Sequence, residues 1–130
     1  MKRAAVLALL VALDGCTVRQ STMPYSPTIS IVPDSTHRDT IRVDRAIDER
    51  NEDASWFGTI RGGYGNPIKV LRADEPIAQV VRRAFDDGLR VRGLYAEPST
   101  VPGFTLWITV HQFEASQLVR RDANTDLALR

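Results

Sequence analysis

The two histidines, His37 and His111, are the side chains best suited to bind a metal ion or transfer a proton at neutral pH. His37 lies in a polar stretch, and His111 falls on the more polar face of an alternating segment. Neither has a cysteine, a second histidine or a carboxylate at the spacing that metal sites use. We therefore expect no metal site and no other cofactor.

Serines and paired carboxylates give little support to catalysis. The candidate serines lack the strand-to-helix turn of a nucleophile elbow, namely Ser55, Ser99 and Ser116. Two carboxylate pairs, Asp48 with Glu49 and Asp86 with Asp87, fall in a predicted loop and on an outer helix face. General acid–base catalysis needs a pocket that separates two pKa values, and neither location predicts one. We expect the protein not to be an enzyme.

The glycines Gly62, Gly63 and Gly65 invite comparison with a phosphate-binding loop. Such loops direct backbone N–H groups at the ligand, usually from a helix N-terminus. Here the glycines lead into Pro67 and a predicted strand. The segment therefore predicts a tight turn.

The residue with the clearest chemistry is Cys16, the only cysteine of the chain. A short cationic start precedes an apolar run at residues 4–13, and Leu13-Asp14-Gly15 leads into the cysteine. The run is about half the length of a bilayer-spanning helix and fits a secretory signal. A small residue directly before a cysteine resembles the bacterial lipobox. We predict a signal peptide at 1–15, cleavage between Gly15 and Cys16, and lipidation of Cys16; a secretory signal with an unrelated cysteine and a buried N-terminal helix are the alternatives.

The mature chain is balanced in charge and has room for one domain. Loss of the leader removes Lys2, Arg3 and Asp14 from 17 basic and 16 acidic residues, which leaves equal numbers. A balanced charge gives no electrostatic reason to expect a nucleic-acid partner. Ser, Thr, Gln and Pro dominate the stretch after the cysteine. We predict a lipidated flexible tether at 16–27 and a domain at 28–130.

Alternating apolar residues predict a series of strands. They fall near 28–32, 40–47, 56–60, 68–71, 104–110, 115–120 and 126–129. The last predicted strand runs to the end of the given sequence, so we expect either a truncated sequence or a partner that completes the sheet.

One amphipathic helix follows Asp74 and Glu75, either of which can cap it. Its buried face is predicted at helical spacing: Ile77, Val80, Val81, Ala84, Phe85 and Gly88. The glycine of this face is expected to pack closely against the sheet. Gly93 is expected to end the helix in a Schellman motif, with Leu94 contacting Leu89.

Aromatic residues are the candidates for partner contact. Trp107 shares a predicted strand face with Thr105 and Thr109, opposite the core face. Tryptophan and tyrosine dominate interface hot spots, so we select Trp107, Trp56 and Tyr64. The alternative is that a second helix or neighbouring loops cover Trp107.

Several of these features together resemble the YajG-like bacterial lipoproteins. They are the Asp48-Glu49-Arg50 cluster after a strand, the glycine-rich turn, the helix ending at Gly93 and the run at 104–110. The resemblance covers roughly residues 28–129. The resemblance implies a lipid-anchored envelope domain with the fold of that family. It does not imply a defined activity. Thr17 after the cysteine, where inner-membrane lipoproteins carry Asp, implies transport to the outer membrane.

The sequence therefore predicts an α+β domain, with one amphipathic helix packed on a mostly antiparallel sheet. We expect a lipid-anchored protein on the periplasmic side of the outer membrane of a Gram-negative bacterium. Its expected role is that of a non-enzymatic accessory or scaffold with an envelope protein as partner. The alternative is a lipid- or apolar-ligand-binding accessory of envelope transport, which a large apolar cavity under Phe85 would favour.

Overall fold

The computed structural model describes residues 18–29, 39–117 and 121–130. Over these ranges the chain forms six strands and one helix: β1 Arg19–Met23, β2 Ile41–Asp48, β3 Trp56–Arg61, β4 Pro67–Ala73, α1 Ile77–Val91, β5 Phe104–Gln117 and β6 Arg121–Leu129. The predicted signal peptide, Cys16 and His37 lie outside the described residues. So does the predicted strand at 28–32, except for its first two residues, which are not in a strand.

The long strand β5 organises the sheet. β6 pairs with β5 from Ile108 to Gln117, so β2 and β3 must share the opposite edge of β5, one after the other. β4 and then β1 extend the sheet beyond β3. The two hairpins, β3–β4 and β5–β6, are antiparallel, and the other described pairings, β1–β4, β2–β5 and β3–β5, are parallel.

The expected α+β class, with one helix packed on a sheet, is confirmed, and the sheet is mixed. The core of fully buried side chains lies between α1 and the sheet: Val43, Ile77, Val81, Ile108 and Val110. Around it pack partly buried residues that include Phe57 and Phe113, whose rings meet edge to face at 6.5 Å. α1 packs mainly over β2, and the other face of the sheet carries no helix among the described elements.

Two β-bulges keep apolar side chains on the core face. In β5 the strict alternation that buries Val110 would send Phe113 outward, but the bulge at His111 adds one residue and returns Phe113 to the core. In β2 a second bulge lies between Val43 and Arg45. The bulges therefore keep the core continuous although the apolar alternation of the sequence is interrupted.

α1 begins without the side-chain cap that the sequence predicted. The expectation that Asp74 or Glu75 caps the helix is wrong, because Pro76 occupies the N-cap position and no side chain caps there. The first free N–H of the helix, that of Ile77, instead donates to the carbonyl oxygen of Ala54 at 2.8 Å. A loop from the sheet thus replaces the local cap.

The C-terminal end of α1 is the predicted Schellman motif. Leu94 N–H donates to Leu89 O at 2.9 Å, and Gly93 N–H donates to Arg90 O at 3.0 Å. Gly93 has a φ of 71°, which glycine adopts without strain. The close packing expected of Gly88 is wrong, because a β-carbon there would meet no neighbouring atom within 4 Å.

The predicted flexible tether at 16–27 is wrong for Arg19–Met23. Arg19–Met23 is an edge strand, paired in parallel with β4 from Lys69 to Ala73. The ring of Tyr25 lies beneath the guanidinium of Arg83 at 4.8 Å. An edge strand is held by backbone hydrogen bonds to one neighbour, so its polar side chains gave no apolar alternation to detect. The folded domain therefore includes residues well before 28.

Candidate functional site

The candidate site is a shallow cleft on the helix-free face of the sheet. Strands β2, β5 and β6, with the residues that directly follow β2 and β6, supply its walls: Arg45, Ile47, Glu49, Trp107, Ile108, Thr109, His111, Ala128 and Arg130. Its volume is about 240 Å³. No described helix or loop covers this face, so the alternative of a covered Trp107 is not supported by the described part of the chain. We call these residues the open-face cleft.

Trp107 and Arg45 form the aromatic centre of the open-face cleft. The guanidinium carbon of Arg45 lies 4.3 Å from the ring centroid of Trp107, a cation–π contact. Backbone hydrogen bonds between Trp107 and Arg130 fix this part of β5 against β6, with N–O distances of 2.9 and 3.2 Å. The Trp107 side chain is 47% exposed, and neighbouring Ile47 is 42% exposed. A rigid strand therefore presents apolar surface beside a cation.

His111 and Glu49 form the polar end of the same cleft. Nδ1 of His111 lies 3.6 Å from Oε2 of Glu49, and both side chains are exposed. An exposed pair of this kind contributes little to stability. The imidazole and the carboxylate can form hydrogen bonds with a partner at the rim of the cleft.

Of the other two selected aromatics, one joins this face and one does not. Trp56 lines an adjoining cleft together with His111 and Glu114, and its indole N–H donates to Thr59 Oγ1 at 3.3 Å. Tyr64 is fully exposed in the β3–β4 turn. The structure therefore brings Trp107 and Trp56 towards one surface and separates Tyr64 from them.

The predicted tight turn between β3 and β4 is confirmed. Gly62 N–H donates to Asn66 O, and Gly65 N–H donates to Gly62 O, both at 2.9 Å. Gly65 has a φ of +79°, which requires glycine or a similarly tolerant residue. The turn leads into the strand β4, and no helix begins there.

The Asp48–Arg50 pair is the buried ion pair that sequence reasoning missed. Arg50 donates from Nε to Asp48 Oδ1 at 2.8 Å and from Nη2 to Asp48 Oδ2 at 2.7 Å, a bidentate fork. The side chains are only 4% and 17% exposed. The hydrogen bonds from Arg50 hold the pKa of Asp48 below its usual value. The signal was the Asp-x-Arg spacing at the end of a strand.

Arg50 also fills the gap in the sheet where β2 has ended and β3 begins. Its Nη1 donates to Trp56 O at 2.7 Å and to Phe113 O at 3.3 Å, and its Nη2 donates to Ala54 O at 3.3 Å. The guanidinium thereby serves carbonyl oxygens of β3 and β5 that the interrupted ladder leaves available, and it shares Ala54 O with the N–H of Ile77. This arrangement makes Asp48 and Arg50 structural residues.

The second carboxylate pair lies on the helix. Asp86 lines a polar cleft of about 250 Å³ with Arg42 and Arg82. Burial raises the pKa of Asp86, while the charges of Arg82 and Arg90 lower it. Arg42 donates to Glu97 O at 2.9 Å and so helps to hold the 97–103 loop. No serine or histidine lines this cleft within the described ranges.

An apolar groove lies between the N-terminal segment and the helix. It is lined by Met23, Pro24, Tyr25, Phe57, Ala73, Ile77, Val80 and Phe113, and has a volume of about 170 Å³. Pockets for drug-sized ligands usually measure about 300–1,000 Å³. Phe85 does not line this groove, so the apolar cavity that would favour ligand binding is not found there.

Two further observations concern the described residues. No helix among them combines the length and apolar character needed to cross a membrane. No group of three or more His, Cys, Asp or Glu side chains among them is arranged to hold a metal ion.

Comparisons with protein-family models, with curated proteins and with solved structures find no match to this chain. The resemblance to the YajG-like lipoproteins therefore stays a prediction that rests on the residues given above.

Proposed function

We propose that this protein is a lipid-anchored, non-enzymatic scaffold of the bacterial envelope that binds a protein partner through the open-face cleft. The anchor is Cys16, on the periplasmic side of the outer membrane. The leader at 1–15 and the resemblance to envelope lipoproteins support the location. The observation that carries the binding role is a sheet face that no described helix covers, with the exposed Trp107 at its centre.

The chemistry of the cleft suits a protein surface. Tryptophan and arginine are the residues most enriched at the energetic centres of interfaces, and Trp107 with Arg45 supplies both. Ile47 adds apolar area, and the Glu49–His111 pair adds a polar rim. Because most of these residues lie on paired strands, their backbone needs little ordering when a partner binds.

The alternative, binding of a lipid or another apolar ligand, has one observation in its favour. This is the apolar groove beside Tyr25 and Phe57. At about 170 Å³ it is smaller than typical ligand pockets. The size of the groove favours the scaffold.

The anchor is tested by membrane fractionation of the full chain and of Cys16→Ala in a Gram-negative host, with mass spectrometry of the mature N-terminus. We expect the wild type to carry lipid on Cys16 and to sediment with the outer membrane, and the variant to lose both. An uncut chain, or a chain cut elsewhere, would contradict the proposal.

The binding face is tested by photo-crosslinking in the same host. A photoreactive residue at Ile47 samples the open-face cleft, and one at Gln79, exposed on the helix side, is the matched control. We expect a discrete crosslinked partner from position 47 that is reduced by Trp107→Ser and absent from position 79. Equal products from both positions would contradict a role for this face.

A further inference from the structure

We propose that the tip of the β3–β4 hairpin docks into the lipid headgroup region of the membrane that holds Cys16. The hairpin tip consists of residues 61–69 together with Val18 and Arg19, which lie beside it. This inference rests on the proposed lipid anchor. Its consequence is that the sheet stands upright on the membrane, with the hairpin as a second point of contact.

The path of the chain brings the anchor to this tip. β1 runs parallel to β4 with Arg19 paired to Lys69, so the chain enters the sheet beside the first residues of β4. Those residues directly follow the β3–β4 turn. Cys16 precedes Arg19 by three residues, which span at most about 11 Å when extended. A lipid on Cys16 must therefore lie within about that distance of the start of β1.

The side chains of the tip have the chemistry of a membrane interface. Tyr64 is fully exposed, and Val18 and Ile68 are about half exposed. Tyrosine favours the headgroup level, where its ring meets apolar surface and its hydroxyl meets water. Val18 directly precedes Arg19 and Ile68 directly precedes Lys69, so extending the parallel register by one residue would place the two apolar side chains side by side.

Charge at the tip favours an anionic lipid surface. Arg19, Arg61 and Lys69 are basic, and the segments 18–29 and 61–69 contain no Asp or Glu. Basic residues next to a membrane anchor are attracted to anionic headgroups within a Debye length. The net charge of the mature chain is balanced, but the end of the domain that contains the hairpin tip is basic.

The turn is built to hold its shape on contact. Its backbone hydrogen bonds at Gly62 and Gly65 close it, and Arg61 Nη1 donates to Gly65 O at 3.1 Å. A pre-ordered tip loses little conformational entropy when it docks.

The opposite end of the molecule provides an internal control. β3 runs parallel to β5 and pairs with its last residues, so the hairpin tip lies at the C-terminal end of β5. The 97–103 loop precedes Phe104, the first residue of β5. Fourteen residues of strand separate the two ends, which corresponds to about 45 Å. Docking at the tip would place the exposed Ser99 of that loop far from lipid.

The test uses the lipidated full-length mature protein in vesicles of phosphatidylethanolamine and phosphatidylglycerol. A polarity-sensitive fluorophore is attached at Gly63→Cys, where a side chain has open space, or at Ser99→Cys as the control. Lipid on Cys16, checked by mass spectrometry, blocks its own thiol. We expect a blue shift and strong quenching by nitroxide-labelled lipids at position 63, and neither at position 99.

Two variants sharpen the result. Arg19→Gln should lower the ratio of docked to undocked tip about fivefold on anionic vesicles, and should have no effect on phosphatidylcholine vesicles. Tyr64→Ser should reduce quenching at position 63 on both kinds of vesicle.

The outcomes separate this inference from the anchor. If Cys16 carries lipid but position 63 is quenched no more than position 99, tip docking is wrong and the anchor stands. If Cys16 carries no lipid, the anchor is wrong and tip docking fails with it. A blue shift at position 63 without quenching by lipid would indicate contact with a second copy of the chain and would also overturn the inference.

Discussion

Replacement of Arg50 by alanine should be among the most damaging single changes in this protein. The variant Arg50→Ala removes both hydrogen bonds to the Asp48 carboxylate and the 2.7 Å bond to Trp56 O. It leaves a carboxylate that is only 17% exposed without its cationic partner, and only the backbone N–H of residue 50 still donates to it. It also removes the guanidinium donor from Trp56 O and Phe113 O, whereas Ala54 O keeps the N–H of Ile77.

The magnitude follows from this burial. Removing one member of a buried ion pair costs about 3–5 kcal/mol. Because Asp48 keeps some contact with water, we expect a loss near the lower end, about 3 kcal/mol in the free energy of unfolding. Arg50→Lys keeps the charge but cannot form the bidentate fork, so it should lose about 2 kcal/mol, the value of one charged hydrogen bond.

Urea unfolding followed by far-UV circular dichroism measures these differences. The matched control is Arg61→Ala, which removes an exposed arginine with one hydrogen bond to Gly65 O. It should change stability by about 0.5 kcal/mol or less. A double-mutant cycle with Asp48→Ala should show strong coupling between Asp48 and Arg50. If Arg50→Ala costs no more than Arg61→Ala, the structural role assigned to Arg50 is refuted.

Three further predictions concern stability. Gly58→Ala should destabilise by about 3 kcal/mol or more, because its β-carbon would lie 1.8 Å from Ala115 O; Gly63→Ala, which meets no atom within 4 Å, should be nearly neutral in the same urea titration. Gly88→Ala should raise the thermal midpoint and add about 0.5–1 kcal/mol, because the site is helical and open; a loss of stability would contradict this. The pKa of Asp48 is lowered in the folded state, so its contribution is complete above the ordinary value of 3.8 and is lost as pH falls through the folded pKa. The stability difference between wild type and Asp48→Asn should therefore shrink on acidification below pH 3.8, and a difference that grows there would contradict the assignment.

Elements governed by neighbouring residues could be predicted from the sequence. The helix followed from apolar spacing, and its end at Gly93 followed from the need for a positive φ. The turn at 62–66 followed from glycine content, and β5 followed from alternation up to Val110. In each case the interaction that decides the structure joins residues close in the chain.

Features that depend on distant pairing could not be predicted in the same way. The strand β1 carries a polar sequence, and only the free edge of β4 makes it part of the sheet. The N-terminus of α1 uses the distant Ala54 O, which overrides the local caps. The bulge at His111 is an exception, because the sequence itself shows the apolar pattern changing phase between Val110 and Phe113.

The candidate site likewise combines features that depend on local sequence with features that depend on distant pairing. The sequence by itself determined which residues have useful chemistry: the lone Cys16 after an apolar run, and the aromatic residues Trp107 and Tyr64. Only the tertiary structure decided that Trp107 stacks with Arg45 on a face that carries no described helix, and that Tyr64 shares an end of the sheet with the entering chain. The physical reason is that residue type and local spacing are properties of the chain, whereas strand order and register set which residues meet.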